Sequence, residues 1–259
     1  MPACRDCPFF DSEMVICRSV GRAGKRTGSR PWHTWTQKES HDHLRSCTNA
    51  IISLWASRAS GSVLEVGCGV ARVFRRVLNR NRAVREWYAI DPRWPTTPAR
   101  HFVHGTVGAI PFPDNRFDLV GSWETIEHWA EYGDTIEGGL QEIYRVLRPG
   151  GVCALAMPMY VHGGEDFFFG RDAAVKARIA AAAPWATVRF NDWRRDYDPL
   201  PRIENWRHGS YTVPGTGRRR LVRLRKIEGA VLERLFAEAY QKDGIPSCWQ
   251  IEAVLTKGG

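Results

Sequence analysis

The residues with the clearest potential for chemistry lie in a glycine-containing turn. The run Val63–Val66 is the short, mainly apolar segment expected of a parallel strand that is buried on both faces. Gly67 and Gly69 follow, and a backbone without Cβ atoms can turn tightly and approach a ligand closely. Arg72 occupies the position of the third glycine in dinucleotide-binding turns. The pattern therefore favours a nucleoside ligand without a pyrophosphate over NAD or FAD.

Two acidic residues belong to the strands that would position such a ligand. Glu65 lies inside the run 63–66, and Asp91 directly follows the strand predicted at 87–90. A carboxylate at the tip of a strand can accept hydrogen bonds from both hydroxyls of a ribose. A turn or helix N-cap is the alternative role for Asp91. Glu65 is expected to orient the glycine turn or to reach an amino group through water.

Apolar periodicity predicts strands and helices that alternate along most of the chain. This alternation favours a doubly wound, mostly parallel α/β sheet. The predicted elements are a helix over 37–59, a strand at 63–66, a helix near 73–78, strands at 87–90 and 117–122, a helix near 135–147, a strand at 152–157, helices near 171–182 and 228–241, and a strand at 249–255.

Several blocks after the glycine turn, in order and spacing, resemble class I S-adenosylmethionine-dependent methyltransferases. The similarity is greatest to the type-11 branch, which includes the ubiquinone and menaquinone methyltransferases. It spans roughly residues 62–158 and implies a seven-stranded Rossmann-like sheet, bound S-adenosylmethionine and methyl transfer. The blocks that carry it are Glu65–Gly69, Tyr88–Asp91, Ile110–Val120, Trp123–His128 and Glu142–Gly151.

The resemblance also implies which residues bind the cofactor. Gly67 and Gly69 would pass against its methionine part and ribose, and Asp91 would bind the ribose hydroxyls. Relatives usually carry Gly-Asp-Ala where this chain has Gly105-Thr106-Val107, so an uncharged hydroxyl replaces the carboxylate that receives the adenine amino group. The implied set is Glu65, Gly67, Cys68, Gly69, Asp91, Thr106, Val107 and Trp123.

Candidate catalytic residues follow the fourth and fifth strands of the sheet. Methyl transfer from a sulfonium is a direct displacement, and a general base is needed only where the acceptor must lose a proton. We expect Glu124, His128 and His162 to be the catalytic candidates. Supporting the loop is the alternative role for His128. The cluster 162–166 is expected to be a polar lid loop, with a metal or acid/base site as the alternative. The chain lacks the Asn-Pro-Pro-Tyr and Pro-Cys motifs of the usual DNA amino- and cytosine-C5-methyltransferases.

Residues 1–36 are predicted to form a cysteine-rich module in front of a methyltransferase domain at 37–259. Cys4 and Cys7 have the spacing at which two thiolates reach one metal ion, and Cys17 and Cys47 complete the predicted ligand set. So small a module needs such a staple to fold. Structural zinc is the leading prediction; an iron–sulfur cluster and unligated thiols are alternatives. Three histidines could replace Cys47 as the fourth ligand: His33, His41 and His43.

Charge and composition bear on the partners of the chain. A net charge of +9 and the basic run 218–226 favour a polyanion such as nucleic acid, whereas the resembling branch acts mainly on small molecules. The acceptor therefore stays open between these two classes, and an insert at about 160–226 is expected to cover it. A non-catalytic scaffold is the alternative function. The seven cysteines, with neither a membrane span nor a secretory signal, favour the cytoplasm.

Overall fold

A computed structural model describes residues 48–49, 51–69, 73–93, 101–159, 165–167, 171–193, 208–212, 219–223 and 250–259 of the chain. Its helices are α1 at 48–49 and 51–58, α2 at Val73–Leu78, α3 at Ile136–Val146 and α4 at Asp172–Ala181. Its strands are β1 at Gly61–Val66, β2 at Val84–Asp91, β3 at Phe102–His104, β4 at Phe117–Trp123, β5 at Leu147–Pro158, β6 at Trp185–Trp193, β7 at His208–Thr212, β8 at Arg219–Arg223 and β9 at Gln250–Lys257. Short 3-10 turns cover Val107–Ala109, Ile126–Tyr132 and Glu165–Phe167.

Seven of these strands form one mixed sheet in the order β3-β2-β1-β4-β5-β9-β6. Strands β1 to β5 pair in parallel, and β9 runs antiparallel between β5 and β6. Strands β7 and β8 form a separate antiparallel pair. The prediction of a doubly wound, mostly parallel Rossmann-like sheet is thus confirmed.

Both faces of the central strands are buried, which explains their nearly continuous apolar sequence. On one face, Leu64 belongs to a core cluster that includes Leu140 and Ile143 of α3. On the other face, Val63 packs in a cluster with Ile51 of α1 and Phe74 of α2. Alternate residues of β1 therefore hold helices on opposite faces of the sheet.

The strand order reverses between β1 and β4, and this reversal positions the site. Strands β2 and β3 extend the sheet in one direction from β1, while β4 and β5 extend it in the other. Connections therefore leave the carboxyl ends of β1 and β4 toward opposite sides, and a crevice opens between them. The glycine turn follows β1 at this point.

Some predictions differ from the structure, and others lie outside the described residues. Strands β3 and β6 have no counterpart in the predicted order, and β6 lies within the range 160–226 that was expected to be an insert. The helix predicted at 228–241 and the cysteine-rich module at 1–36 lie outside the described residues. Within the described ranges, no helix is long and apolar enough to cross a membrane, and no cluster of His, Cys, Asp or Glu could hold a metal ion.

Candidate active site

The glycine turn is fixed between the ends of β2 and β4. The backbone N–H groups of Gly67 and Cys68 donate to the Ile90 carbonyl oxygen over 2.9 and 3.2 Å. Gly67 has a φ of 71°, and a Cβ added there would lie 2.5 Å from Cγ2 of Thr125, which follows β4. Gly69 has a φ of 47°. Glycine is therefore required at the first position both by backbone conformation and by lack of space.

Asp91, at the end of β2, holds this turn with a buried carboxylate. Its side chain is 2% exposed, and Oδ2 accepts a 2.7 Å hydrogen bond from the Gly69 backbone N–H. Arg93 donates to Oδ1 from its backbone N–H and from Nε, both over 2.9 Å, and to Oδ2 from Nη2 over 3.0 Å. Burial alone would raise the pKa of Asp91, but the hydrogen bonds from Arg93 and Gly69 outweigh it and lower the pKa. Asp91 is thus an ionised group that the protein has already surrounded with donors.

Glu65 is the second buried carboxyl group of the site. Burial raises the pKa of Glu65 to about 8, because the nearby Arg75 offsets only part of the desolvation and Asp91 adds to the rise. Glu65 Oε2 lies 3.5 Å from Nε of Arg75, and both side chains are at most 10% exposed. Arg75 Nη2 also lies 3.4 Å from the carbonyl oxygen of Cys68. Arg75 therefore links β1 and the glycine turn to α2.

Thr106 and Val107 follow β3, and Trp123 is the last residue of β4. Thr106 Oγ1 donates to Asp134 Oδ1 over a long 3.4 Å, so a carboxylate stands beside the hydroxyl that replaces the usual Asp. Val107 is 3% exposed and belongs to the core. Trp123 packs edge-on against Phe74, with ring centroids 5.2 Å apart. Its buried Nε1 has no hydrogen-bond partner within the described ranges.

Glu124 follows β4 directly and adopts an unusual backbone conformation. Its φ is 52°, in the left-handed region that costs a non-glycine residue about 1–2 kcal/mol. The backbone N–H of Glu124 donates to the Ala156 carbonyl oxygen of β5 over 2.7 Å. The Thr48 hydroxyl of α1 donates to Glu124 Oε1 over 2.5 Å, and Gln250 Nε2 of β9 donates to that hydroxyl over 2.7 Å. Glu124 is thus held by β5 through its backbone and by α1 through its carboxylate, with β9 supporting the α1 hydroxyl.

His128 lies one turn further along, between two acidic side chains. Its Nδ1 is 2.7 Å from Glu131 Oε1, and its Nε2 is 3.7 Å from Glu127 Oε1. The His128 backbone N–H donates to the Thr125 carbonyl oxygen over 2.8 Å, and the side chain is 20% exposed. His128 is thus held in place by Glu131 and the Thr125 backbone, with Glu127 beside it.

The remaining predicted site residues are not brought together by the described structure. His162, Cys4, Cys7, Cys17 and Cys47 lie outside the described residues. Asp166 Oδ2 forms an ion pair with Arg178 Nη1 over 2.7 Å, so this member of the cluster 162–166 ties the 3-10 turn to α4.

Sequence reasoning missed four residues that contact the predicted site. Arg93 binds Asp91, Arg75 pairs with Glu65, and Thr48 with Gln250 holds Glu124. Only Arg93 carried a local signal, since it lies two residues after the strand-end Asp91. Arg75 lies on the helix that follows the glycine turn, whereas Thr48 and Gln250 reach Glu124 from elements that are distant in sequence.

Comparison with known proteins agrees with this geometry. Residues 64–155 match the family described as the methyltransferase domain. The chain is 34% identical over 151 residues to the malonyl-[acyl-carrier protein] O-methyltransferase of Salmonella typhimurium, covering 55% of this chain and 53% of that protein. It is 35% identical over 109 residues to the sterol 24-C-methyltransferase of Pneumocystis carinii, covering 38% of this chain and 28% of that protein. The chain thus spans about half or less of the length of the curated relatives it matches.

A solved methyltransferase structure is more distant. The S-adenosylmethionine-dependent methyltransferase of Archaeoglobus fulgidus superposes with a TM-score of 0.49 at 10% identity, covering 82% of this chain and 94% of that one. So remote a likeness adds nothing to the sequence matches. The sheet order, the glycine turn held by Asp91 and the matched family together identify residues 64–155 as an S-adenosylmethionine-dependent methyltransferase domain.

Proposed function

We propose that the whole chain is an enzyme that transfers a methyl group from S-adenosylmethionine to an acceptor bound at the carboxyl edge of the sheet. The observation that carries this proposal is the ionised, buried carboxylate of Asp91, which accepts the Gly69 backbone N–H of the glycine turn. A carboxylate in this position suits the two hydroxyls of a ribose. The bound cofactor supplies an electrophilic methyl group on a sulfonium.

The other cofactor contacts follow from the same orientation. Glu65 would lie near the amino group of the methionine part, where a positive charge favours its ionised form. Thr106 and Val107 would contact the adenine. Asp134 beside the Thr106 hydroxyl supports this role, because a nearby carboxylate orients the hydroxyl proton away from the adenine amino group.

Glu124 and His128 are the proposed proton acceptors among the described residues. Both follow β4, one residue or a few residues from Thr125, the side chain that faces Gly67. His162 is retained as a third candidate on sequence grounds alone. Acceptors that lose no proton would need none of them.

The first experiment measures binding of S-adenosylhomocysteine by calorimetry, with the purified full-length chain. Micromolar affinity would support the proposal, and lack of binding at millimolar concentration would favour the non-catalytic scaffold. Incubation with donor carrying a labelled methyl group and a fractionated cell extract would then show which class of molecule becomes labelled.

The acceptor is proposed to be a small molecule or a nucleic acid. The Salmonella relative is named for a carboxyl-bearing acyl carrier and the Pneumocystis relative for a sterol, so the relatives do not share one acceptor chemistry. Nucleic acid is supported by the net charge of +9 and by the arginines of β8. Retention on nucleic acid that falls steeply with salt would support that version, because phosphate contacts release counterions. Label found only in small molecules would remove it.

We also propose that the module at 1–36 binds zinc through Cys4, Cys7, Cys17 and Cys47. The protein would then act in the cytoplasm, where thiols stay reduced. Elemental analysis should find about one zinc ion per chain if this is right. Double substitution of Cys4 and Cys7 by serine should abolish it. Iron with visible absorption would instead identify a cluster, and metal-free protein would overturn both.

A further inference from the structure

The turn after β4 carries a hydrogen-bonded chain of three side chains whose direction is fixed. Gln250 Nε2 donates to Thr48 Oγ1 over 2.7 Å, and an amide nitrogen has no lone pair to accept a bond in return. The lone proton of the Thr48 hydroxyl is therefore left for Glu124, whose Oε1 lies 2.5 Å away. The chain runs from amide to hydroxyl to carboxylate and ends on Glu124.

This chain holds Glu124 from elements that are far apart in sequence. Thr48 is 4% exposed and Gln250 is fully buried, so neither side chain can exchange its partner for bulk water. Glu252, two residues further along β9, accepts hydrogen bonds from Trp55 Nε1 of α1 and Asn191 Nδ2 of β6. This second set of contacts ties α1 to β9 and fixes the distance between Thr48 and Gln250.

Glu124 lies at the carboxyl end of β4, next to the residue that packs against the glycine turn. Its neighbour Thr125 touches the glycine turn that would carry the methionine part, and its own backbone is bonded to Ala156 of β5. The Thr48 bond occupies Oε1, and no hydrogen bond to Oε2 is formed within the described part of the chain. The left-handed backbone of Glu124 is a further cost that a purely structural turn would avoid with glycine.

We propose that Thr48 and Gln250 are positioning residues that aim Glu124 Oε2 at an acceptor bearing an O–H or N–H group. The inference rests on the proposed methyltransferase function and narrows its acceptor to oxygen or nitrogen nucleophiles. The lone pair of that oxygen or nitrogen forms the bond to the methyl carbon. The carbon–sulfur bond breaks with its electrons on sulfur, which leaves neutral S-adenosylhomocysteine, and the acceptor proton passes to Glu124 Oε2.

The test uses sinefungin, an analogue of the cofactor in which an amine-bearing carbon replaces the methyl-bearing sulfonium. Its ammonium group projects where the methyl group would, so a carboxylate held on the acceptor side should favour it over S-adenosylhomocysteine. Calorimetry gives the ratio of the two affinities for each variant. A variant that merely loosens the fold lowers both affinities together and leaves the ratio unchanged.

We expect Glu124→Gln to lower the preference for sinefungin about tenfold, because a charge-assisted hydrogen bond is lost. Thr48→Val should lower it about threefold, because Glu124 loses the hydroxyl that orients it, and Thr48→Ser should retain the preference. Thr187→Val is the matched control, since Thr187 donates to Thr256 between β6 and β9, at the opposite end of their pairing from Gln250. That variant should leave the ratio unchanged.

Each failure has its own signature. Lack of S-adenosylhomocysteine binding by the unmodified protein would overturn the proposed function itself. Normal binding with an unchanged ratio in Glu124→Gln would overturn the role of Glu124, and an unchanged ratio in Thr48→Val alone would overturn the positioning role. Thr48→Ala gives a second hydroxyl-free variant should the valine variant fail to fold.

Discussion

Asp91 and Asp118 are two largely buried carboxylates at strand ends, but they lie at opposite edges of the same sheet. Asp118, at the start of β4, accepts the Ser62 backbone N–H over 2.7 Å and pairs with Arg148. A Cβ on Gly61 would lie only 2.2 Å from Asp118 Oδ2, so protein atoms crowd that carboxylate. Asp91, at the end of β2, is instead held by Arg93, whose side chain is 63% exposed. Both carboxylates have a backbone N–H donor and an exposed arginine partner, since Arg148 is 53% and Arg93 63% exposed. They differ in their surroundings, because Asp118 is packed against Gly61 and Asp91 lies beside the glycine turn.

The hydrogen-bond partners of other polar side chains near the two edges of the sheet can be compared in the same way. At the amino edge, Lys257 Nζ donates to Asn115 Oδ1 over 2.8 Å and to the Leu147 carbonyl oxygen over 2.7 Å. At the carboxyl edge, buried Gln250 Oε1 and Trp123 Nε1 have no hydrogen-bond partner within the described ranges. A buried polar atom without a partner costs about 1–3 kcal/mol. Gln250 and Trp123 thus carry such a cost where ligands are expected to bind, and Arg116 Nε and Trp185 Nε1 carry one near the amino edge.

Replacing Asp91 and Asp118 by asparagine is the strongest test of this comparison. Asp91→Asn should weaken binding of S-adenosylhomocysteine about 100-fold, because two charge-assisted hydrogen bonds to the ribose are lost. Asp118→Asn should lower the free energy of unfolding by about 1–2 kcal/mol and leave the affinity unchanged. Calorimetry and denaturant titration measure the two effects. Equal loss of affinity in both variants would remove the distinction between the two edges.

How far the sequence predicted this arrangement depends on how local each signal was. The strand at 63–66 followed by Gly67 and Gly69 was predictable, because one short segment contains the apolar run and the turn. Strand β6 was missed although Ala186, Val188 and Phe190 alternate with polar residues, the pattern of a half-buried strand. Its partner β9 lies at the other end of the chain. Strand β3 has only three residues, too few for a periodic signal.

The residues of the candidate site also differ in how local their sequence signals were. Asp91 was recognised by its position after a strand, and its proposed contact with ribose stays a prediction. The partners that surround it and Glu124 depend on tertiary contacts, such as the 202 residues that separate Thr48 from Gln250. No rule of spacing connects residues that the fold brings together from α1 and β9. The sequence therefore indicated the acids of the site but not the groups that orient them.

Glu65 provides a second test, because this buried carboxyl group near the carboxyl edge should make the stability of the protein depend on pH. Its pKa rises to about 8 in the folded protein, from an ordinary value near 4.5. The folded state retains a proton that the unfolded state releases, so this group lowers stability as pH rises from 4.5 to 8. The stability of Glu65→Gln relative to that of the unmodified protein should therefore rise by about 4 kcal/mol between pH 5 and pH 8.5.

Denaturant titrations at the two pH values measure this difference. Glu65→Ala is the matched control, because it removes the same carboxyl group but leaves a cavity. It should be less stable than Glu65→Gln at both pH values and show the same change with pH. Stability curves of the unmodified protein and Glu65→Gln that stay parallel would show that Glu65 ionises normally in the fold.

The smallest expected effect concerns the exchangeable partner of Asp91. Arg93 now occupies both carboxylate oxygens, and its Nη2 would lie 2.9 Å from a Cβ on Gly69. A ribose must displace this guanidinium, so Arg93→Ala should strengthen S-adenosylhomocysteine binding about threefold, the net value of one exposed ion pair. Arg85→Ala is the control, because Arg85 lies 3.8 Å from Asp118 and is 73% exposed. It should leave the affinity unchanged. Weaker binding by Arg93→Ala would mean that Arg93 stays on Asp91 and contacts the cofactor. The arginine partners of Asp91 and Asp118 would then both remain in place when the ligand binds.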